Sequence, residues 1–282
     1  MDLGDGMILD AERKNRFLAD VATPITAKQI VLSLLGSQSM QSLSSSDLMK
    51  AAGVFDIEPT SMRMATSRLL KTGVLSSQDR GLYTIGPAGA GLDEVSRDWV
   101  KMEQRTTPWD GSWITVHLAH LGRVDRAAVR QRERALVLHG FARAEHGLWV
   151  RPGNLAAPLD DLAKRMISLG LETRSIFQKS SEVIGEFVAR ADKLWDRRTI
   201  EAEYQSALDA MQNSLSGLDG KSLKDRAEET LTIGSATIRL LTFDPLLPET
   251  LINTTLREEV HRTMLTYDDT GQRAWSGYLQ VP

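Results

Sequence analysis

Apolar positions recur at helical spacing between residues 58 and 73. Pro59 suits the first turn of a helix, where its missing N–H needs no partner, and Gly73 suits the residue that ends one. The pattern therefore predicts a helix over about 59–72. One side of it, drawn at 100° per residue, is mostly apolar: Met62, Ala65, Thr66 and Leu69. The other side is cationic and hydroxylated: Thr60, Arg63, Met64, Ser67, Arg68 and Lys71.

Two shorter helices are predicted before it. Thr26 is a candidate N-cap for a helix that Gly36 ends, and Ser45 or Ser46 is a candidate N-cap for a helix that Gly53 ends. After the helix at 59–72, the segments 74–76 and 82–85 flank a polar tip that contains Arg80 and Gly81, the pattern of a β-hairpin. Three helices, with a glycine-containing turn before the third and a hairpin after it, are typical of a winged helix-turn-helix.

The third helix has the chemistry of a recognition helix. A helix fits the major groove of DNA, where arginine donates two hydrogen bonds to guanine while serine, threonine and lysine hold phosphates. Arg63 and Arg68 are the candidates for base contact, and Arg80 is a candidate for a wing contact to the backbone or minor groove. The alternative left open is a solvated helix surface. The predicted DNA-binding residues are Thr60, Ser61, Arg63, Met64, Ser67, Arg68, Lys71 and Arg80.

The middle of the chain alternates between strand and helix patterns in the order β-α-β-β-α-β, which is typical of a small ferredoxin-like domain. The predicted elements are strands near 113–118, 141–144, 148–151 and 172–177, and helices near 123–138 and 159–168. Beyond about Ser180 the apolar residues keep helical spacing, over Val183 to Trp195 and again from Tyr204 to Met211. We expect an α+β fold, mainly helical. Its predicted parts are a leader at 1–23, a winged helix at 24–90, a connecting segment at 91–107, a ferredoxin-like domain at 108–180 and a helical domain at 181–282.

The composition of the chain limits the chemistry and the classes of function that we expect of it. The chain of 282 residues has no cysteine, which excludes disulfides, thiolate zinc sites and a cysteine nucleophile. It has no 18-residue apolar run, so we expect a soluble cytoplasmic protein that does not contact a membrane. The net charge is −3, yet residues 24–86 hold six lysines and arginines against four acidic residues. A mildly basic module in an acidic protein favours site-specific over non-specific DNA binding.

Other chemistry is weakly indicated. A metal-dependent nuclease would need converging carboxylates, and the strand at 113–118 offers none. His117 and His120 are three residues apart, a spacing that on a strand points side chains to opposite faces and does not suit a shared metal. Arg151 either binds an anionic ligand or pairs with a carboxylate, and the tryptophans at 109, 113 and 149 either line a pocket or fill the core. The arginine-rich segment 123–134 either extends a DNA surface or is a solvated face. We therefore expect no enzyme activity and no cofactor, and keep a nuclease or a protein-interaction module as alternatives.

Three separated stretches of the chain form recognisable motifs. The first is Met62-Arg63-Met64-Ala65-Thr66-Ser67-Arg68-Leu69 with Gly73-Val74-Leu75; the second is WDGSW at 109–113 with GF at 140–141 and GLWVRPGN at 147–154; the third is Leu194-Trp195-Asp196, Tyr204 and DPLLP at 244–248. In this order they resemble the PaaX-like family of phenylacetate-degradation transcriptional repressors. The resemblance covers about residues 26–265. It implies a homodimeric repressor on a double-stranded DNA operator near genes of aromatic-acid catabolism, released by an aryl-CoA effector such as phenylacetyl-CoA.

Overall fold

The structure is a computed structural model that describes residues 15–37, 40–79, 81–90 and 97–280. It is an α+β fold, mainly helical, with two small antiparallel sheets. The described residues form two compact units: 15–90 with 198–238 and 262–280, and 97–197 with 239–261. The two units divide residues 181–282, which the sequence pattern groups as one helical domain. Within the described ranges no single helix is long and apolar enough to cross a membrane, and only the bent pair Arg16–Ala22 and Ala27–Leu35 meets the length and composition required when taken together.

The first unit begins with four short helices and a three-stranded sheet of order β1-β3-β2. Its elements are α1 (Arg16–Ala22), α2 (Ala27–Leu35), α3 (Ser45–Val54), α4 (Pro59–Lys71), β1 (Leu43–Ser44), β2 (Leu75–Asp79) and β3 (Leu82–Ile85). The pattern did not predict β1, because two residues carry too little periodicity. β1 pairs with β3, placing Leu43 opposite Tyr83.

Local capping explains where these helices begin. Thr26 caps α2 as predicted, accepting from the Gln29 N–H while the Gln29 side chain accepts from the Thr26 N–H. The expected cap of α3 at Ser45 or Ser46 was wrong, because Ser44 makes the same reciprocal bonds with Asp47.

The turn before α4 also differs from its prediction. Gly53 does not end α3, which continues to Val54. The residue with positive φ in the turn is Asp56, at 51°, instead of a glycine. Asp tolerates this left-handed conformation better than most residues because its short polar side chain can bond locally.

Residues from two distant helices complete the core of the first unit. The unit also contains most of α9 (Arg197–Gly217), α10 (Leu223–Thr242) and α11 (Thr254–Gln280). Ala227 of α10 and Trp275 of α11 are buried in one cluster with Ile30, Leu48 and Met62. The hydrophobic core around α4 therefore extends beyond residues 24–90.

The second unit contains a four-stranded antiparallel sheet of order β5-β6-β4-β7. Its elements are β4 (Trp113–His117), α5 (Arg126–Leu138), β5 (Ala142–Glu145), β6 (Leu148–Pro152), α6 (Leu159–Ser168), β7 (Ile176–Ser180), α7 (Glu186–Ala189) and α8 (Ala191–Leu194), after a 3₁₀ helix at Asp98–Arg105. The order β-α-β-β-α-β agrees with the predicted pattern. The last strand begins later than the predicted 172–177, because Glu172 to Ser175 form a hydrogen-bonded turn after Gly170.

Both faces of this sheet are covered. Ile114 and Val116 pack with the cluster that contains Leu136 and Met166, whereas Trp113 packs with Phe187 on the other cluster. The helical spacing over Val183 to Trp195 holds only in part. The segment before Gly185 is not helical, α7 and α8 are separate short helices, and Ile184 is almost fully exposed.

Candidate nucleic-acid interface

The two sides of α4 differ as the sequence pattern predicts. Met62, Thr66 and Leu69 are buried, and Ala65 is half-buried. The hydroxyl of Thr66 donates to the carbonyl of Met62 at 2.9 Å, so this polar group does not oppose burial. The other side is exposed along the whole helix: Thr60, Ser61, Arg63, Met64, Ser67, Arg68 and Lys71.

The last turn of α4 is held by a left-handed glycine. Gly73 has φ of 71°, its N–H donates to the Leu70 carbonyl at 3.0 Å, and the Val74 N–H donates to the Leu69 carbonyl at 3.0 Å. This pair of bonds is the Schellman motif, which closes a helix and turns the chain back. Because of this turn, β2 begins soon after the cationic end of α4.

The charged groups on the exposed side of α4 are three cations that point to solvent. Among the described residues, Arg63, Arg68 and Lys71 form no ion pair. Met64 is 55% exposed and lies between Thr60 and Arg68 on the same strip of the helix surface. This face therefore presents cationic, hydroxyl and apolar groups together, the three kinds of contact that duplex DNA accepts.

The hairpin after α4 is close to its prediction. Leu75 pairs with Ile85 and Ser77 with Tyr83, and a bulge follows before the tip. The N–H of Ser45, the first residue of α3, donates to the Gly81 carbonyl at 2.8 Å, which ties the hairpin to the helices. Arg80, the predicted wing contact, lies outside the described residues.

The histidines near β4 are engaged separately. His117 is 3.3 Å from the Thr115 hydroxyl, and His120 is 2.8 Å from the Arg174 carbonyl. The described residues contain no group of three or more His, Cys, Asp or Glu that is placed to hold a metal ion.

Arg151 is buried, and most of the partners of its guanidinium are carbonyl oxygens. Its guanidinium donates to the carbonyls of Pro152, His139 and Pro245 and to the side-chain oxygen of Asn154. Burial lowers the pKa of Arg151 to about 9. These acceptors join the end of β6 to the corner at Pro245, a role that β6's sequence alone does not reveal.

The tryptophans of the second unit pack against one another and the sheet. The Trp109 indole donates to the Ser112 carbonyl at 2.6 Å and meets Trp113 edge to face. Trp113 meets Phe187 in the same way, and Trp149 is 4% exposed. These side chains are part of the core, the second of the alternatives drawn from the sequence.

The comparisons with known proteins concern fold. The sequence matches no protein-family model and no curated protein. The chain is similar to a solved structure, the uncharacterized protein Rv0674 from Mycobacterium tuberculosis, with a TM-score of 0.58 and 22% sequence identity. The similarity covers 88% of this chain and 98% of that chain. At this identity the likeness shows a shared fold and carries no function with it.

Proposed function

We propose that this protein is a sequence-specific DNA-binding transcriptional regulator. The observation that carries the proposal is the exposed side of α4, which presents Arg63, Arg68 and Lys71 without ion-pair partners among the described residues. In a helix-turn-helix the recognition helix lies in the major groove. Arg63 and Arg68 would then read base edges, while Lys71 and the hydroxyls of Thr60, Ser61 and Ser67 hold phosphates or base edges.

The element order supports a winged helix-turn-helix within the first unit. The helices α2, α3 and α4 follow one another with a short turn before α4, and the β2–β3 hairpin follows directly. The strand order β5-β6-β4-β7 with two intervening helices supports a ferredoxin-like domain in the second unit. We assign α9, α10 and α11 to a C-terminal helical region. The two compact units share the residues of this region, as given under Overall fold.

The resemblance to PaaX-like repressors supports the biological role. In this proposal the protein is a cytoplasmic, non-enzymatic repressor of aromatic-acid catabolic genes that binds its operator as a homodimer. One recognition helix reads few base pairs, so two copies bind half-sites about one helical turn apart or a multiple of it. An aryl-CoA thioester, with phenylacetyl-CoA as the first candidate, is the effector that relieves repression.

Fluorescence anisotropy of the full chain on duplex DNA from upstream of its own gene tests the proposal. The titration is made at physiological salt with unrelated competitor DNA, with and without phenylacetyl-CoA. Replacing Arg63 by alanine should lower specific affinity by about 5- to 150-fold, equivalent to 1–3 kcal/mol, and broaden sequence preference. Lys28→Ala removes one exposed cation from the first unit outside α4 and is the matched control.

The outcomes separate the parts of the proposal. Specific binding that phenylacetyl-CoA reverses supports both the regulator and its effector class. Specific binding indifferent to the thioester keeps the regulator and removes this effector. A complete lack of salt-sensitive DNA binding contradicts the regulator and favours a winged helix used for protein contacts, and a sedimentation profile with monomer alone contradicts the dimer.

A further inference from the structure

The outer face of α5 carries a row of three exposed arginines: Arg126, Arg130 and Arg134. Residues four apart lie on one strip of a helix, and the rise of 1.5 Å per residue places these positions about 6 Å apart along the axis. The helix holds four arginines and one glutamate. Its outer face is therefore strongly cationic in a chain whose net charge is −3.

The remaining charges of α5 are used to hold the helix in place. Arg132 is buried and makes a two-pronged contact with the carboxylate of Glu172, and its guanidinium also donates to the Gly122 carbonyl at 3.0 Å. Glu133 pairs with Arg143 of β5. The Asp125 carboxylate caps the helix by accepting from two backbone N–H groups.

The exposed row has no such partner. Among the described residues, Arg126, Arg130 and Arg134 make no ion pair and no side-chain hydrogen bond. Like charges four residues apart disfavour a helix, and a cation in the first turn lies near the positive end of the helix dipole. The row therefore opposes the local stability of α5, so helix formation does not account for it.

We propose that this row contacts phosphates of duplex DNA and is a second positioning surface of the protein, an inference that rests on the function proposed above. Arginine pairs with phosphate oxygens through two parallel hydrogen bonds. Duplex DNA carries one negative charge per about 1.7 Å of its axis, so a row of three cations meets several phosphates. Such contacts add affinity and orientation and leave sequence preference to α4.

The test is the salt dependence of DNA binding by the full chain. The variant R126Q/R130Q/R134Q keeps good helix formers at all three positions and should be at least as stable as the wild type. The control K101Q/K179Q/K193Q removes the same charge from scattered exposed positions of the same unit. Affinity for the operator and for an unrelated duplex is measured at several salt concentrations by anisotropy.

We expect the slope of log K against log salt to decrease in magnitude by about 0.9 for each phosphate that the variant no longer neutralises, hence by about 2–3 in the α5 variant. Affinity should fall by the same factor on both duplexes, and the control should keep nearly the wild-type slope. An unchanged slope in the α5 variant, or an equal fall in the control, overturns the inference while operator binding still supports the proposed function.

A wild-type protein that binds no DNA overturns the proposed function and this surface together. Retention on an acidic polymer tests whether the row binds a different partner. If the α5 variant keeps the wild-type DNA slope but is no longer retained on immobilised poly-glutamate, the row binds an acidic protein and the DNA assignment is wrong.

Discussion

Met64 is the apolar member of the exposed side of α4, with cationic and hydroxyl neighbours on either side. It is 55% exposed although Met62, two residues earlier, is completely buried. A single exposed apolar side chain is ordinary on a protein surface. At a DNA-facing position it has a specific counterpart, because the methyl group of thymine is the one apolar group in the major groove. The flexible thioether side chain adapts to such a contact.

If α4 reads DNA as proposed, Met64 should discriminate thymine from uracil. Once the operator is mapped, replacing single thymines by uracil should weaken binding about fourfold at the base under Met64, which corresponds to one buried methyl group at about 0.8 kcal/mol. Met64→Ala should bind both duplexes equally, and Met64→Leu, which keeps the apolar contact, should retain the preference. If no thymine shows this dependence on residue 64, Met64 does not read a base.

At the scale of the element, Trp275 of α11 is buried in the hydrophobic core around α4. Its ring stacks with Phe55 at 6.4 Å between centroids and meets Tyr278 edge to face. Two hydrogen bonds lie nearby: Lys50 Nζ donates to the Leu279 carbonyl, and the Tyr278 hydroxyl donates to the Lys50 carbonyl. These contacts bind α11 to α3 and to the residue that follows it.

Trp275→Ala should lower the free energy of unfolding of the first unit by about 3–5 kcal/mol, the range for removing a buried large side chain. Trp275→Phe is the matched variant. The Trp275 indole N–H is buried without a hydrogen-bond partner among the described residues, so phenylalanine removes a cost as well as some packing. We expect it to stay within about 1.5 kcal/mol of wild type. Urea unfolding measures both, and equal losses of stability would contradict this packing role.

Elements with local signals were predictable from the sequence, and those that depend on distant partners were not. The apolar spacing, Pro59 and Gly73 lie within α4 or beside it, so both its bounds and its two sides followed from the pattern. β1 exists only because β3 pairs with it, and β7 takes its register from β4. The broken helix near Gly185 had regular apolar spacing, yet Phe187 and Ala191 pack on the sheet while Ile184 does not.

At the scale of the whole molecule, the limits of the compact units follow contacts that the sequence pattern does not contain. Ala227 and Trp275 belong to the core around α4, and Pro245 and Leu246 accept hydrogen bonds from Arg151 and Asn154 at the end of β6. Periodicity marks these segments as helices or a corner but gives no partner. The candidate site on α4 was predictable because exposure of a helix face is local; the support beneath it was not.

We expect His139 to make the stability of the second unit depend on pH. It follows α5, and its ring Nδ1 lies 2.8 Å from the Ala135 carbonyl. A cation at a helix C-terminus is normally favourable. Here burial is the larger effect, and with Arg151, Arg165 and Arg105 nearby it lowers the pKa of His139 to about 4 from the usual 6.5.

The direction of this pH dependence follows from proton binding. Between pH 6.5 and about 4 the unfolded chain holds a proton on His139 and the folded unit does not. The contribution of His139 to the free energy of unfolding is therefore fully present above pH 6.5 and is lost as the pH falls towards 4. At about 1.4 kcal/mol per pH unit, the contribution lost between pH 7 and pH 4.5 is on the order of 2–3 kcal/mol.

His139→Asn removes the titrating ring and keeps a short donor in reach of the same carbonyl. The gap in unfolding free energy between wild type and variant should therefore narrow by about 2–3 kcal/mol, or reverse, on going from pH 7 to pH 4.5. Other titrating groups change both proteins alike and cancel in the difference. Urea unfolding at the two pH values measures it, and a gap that stays constant would mean that His139 titrates alike in the folded and unfolded chain.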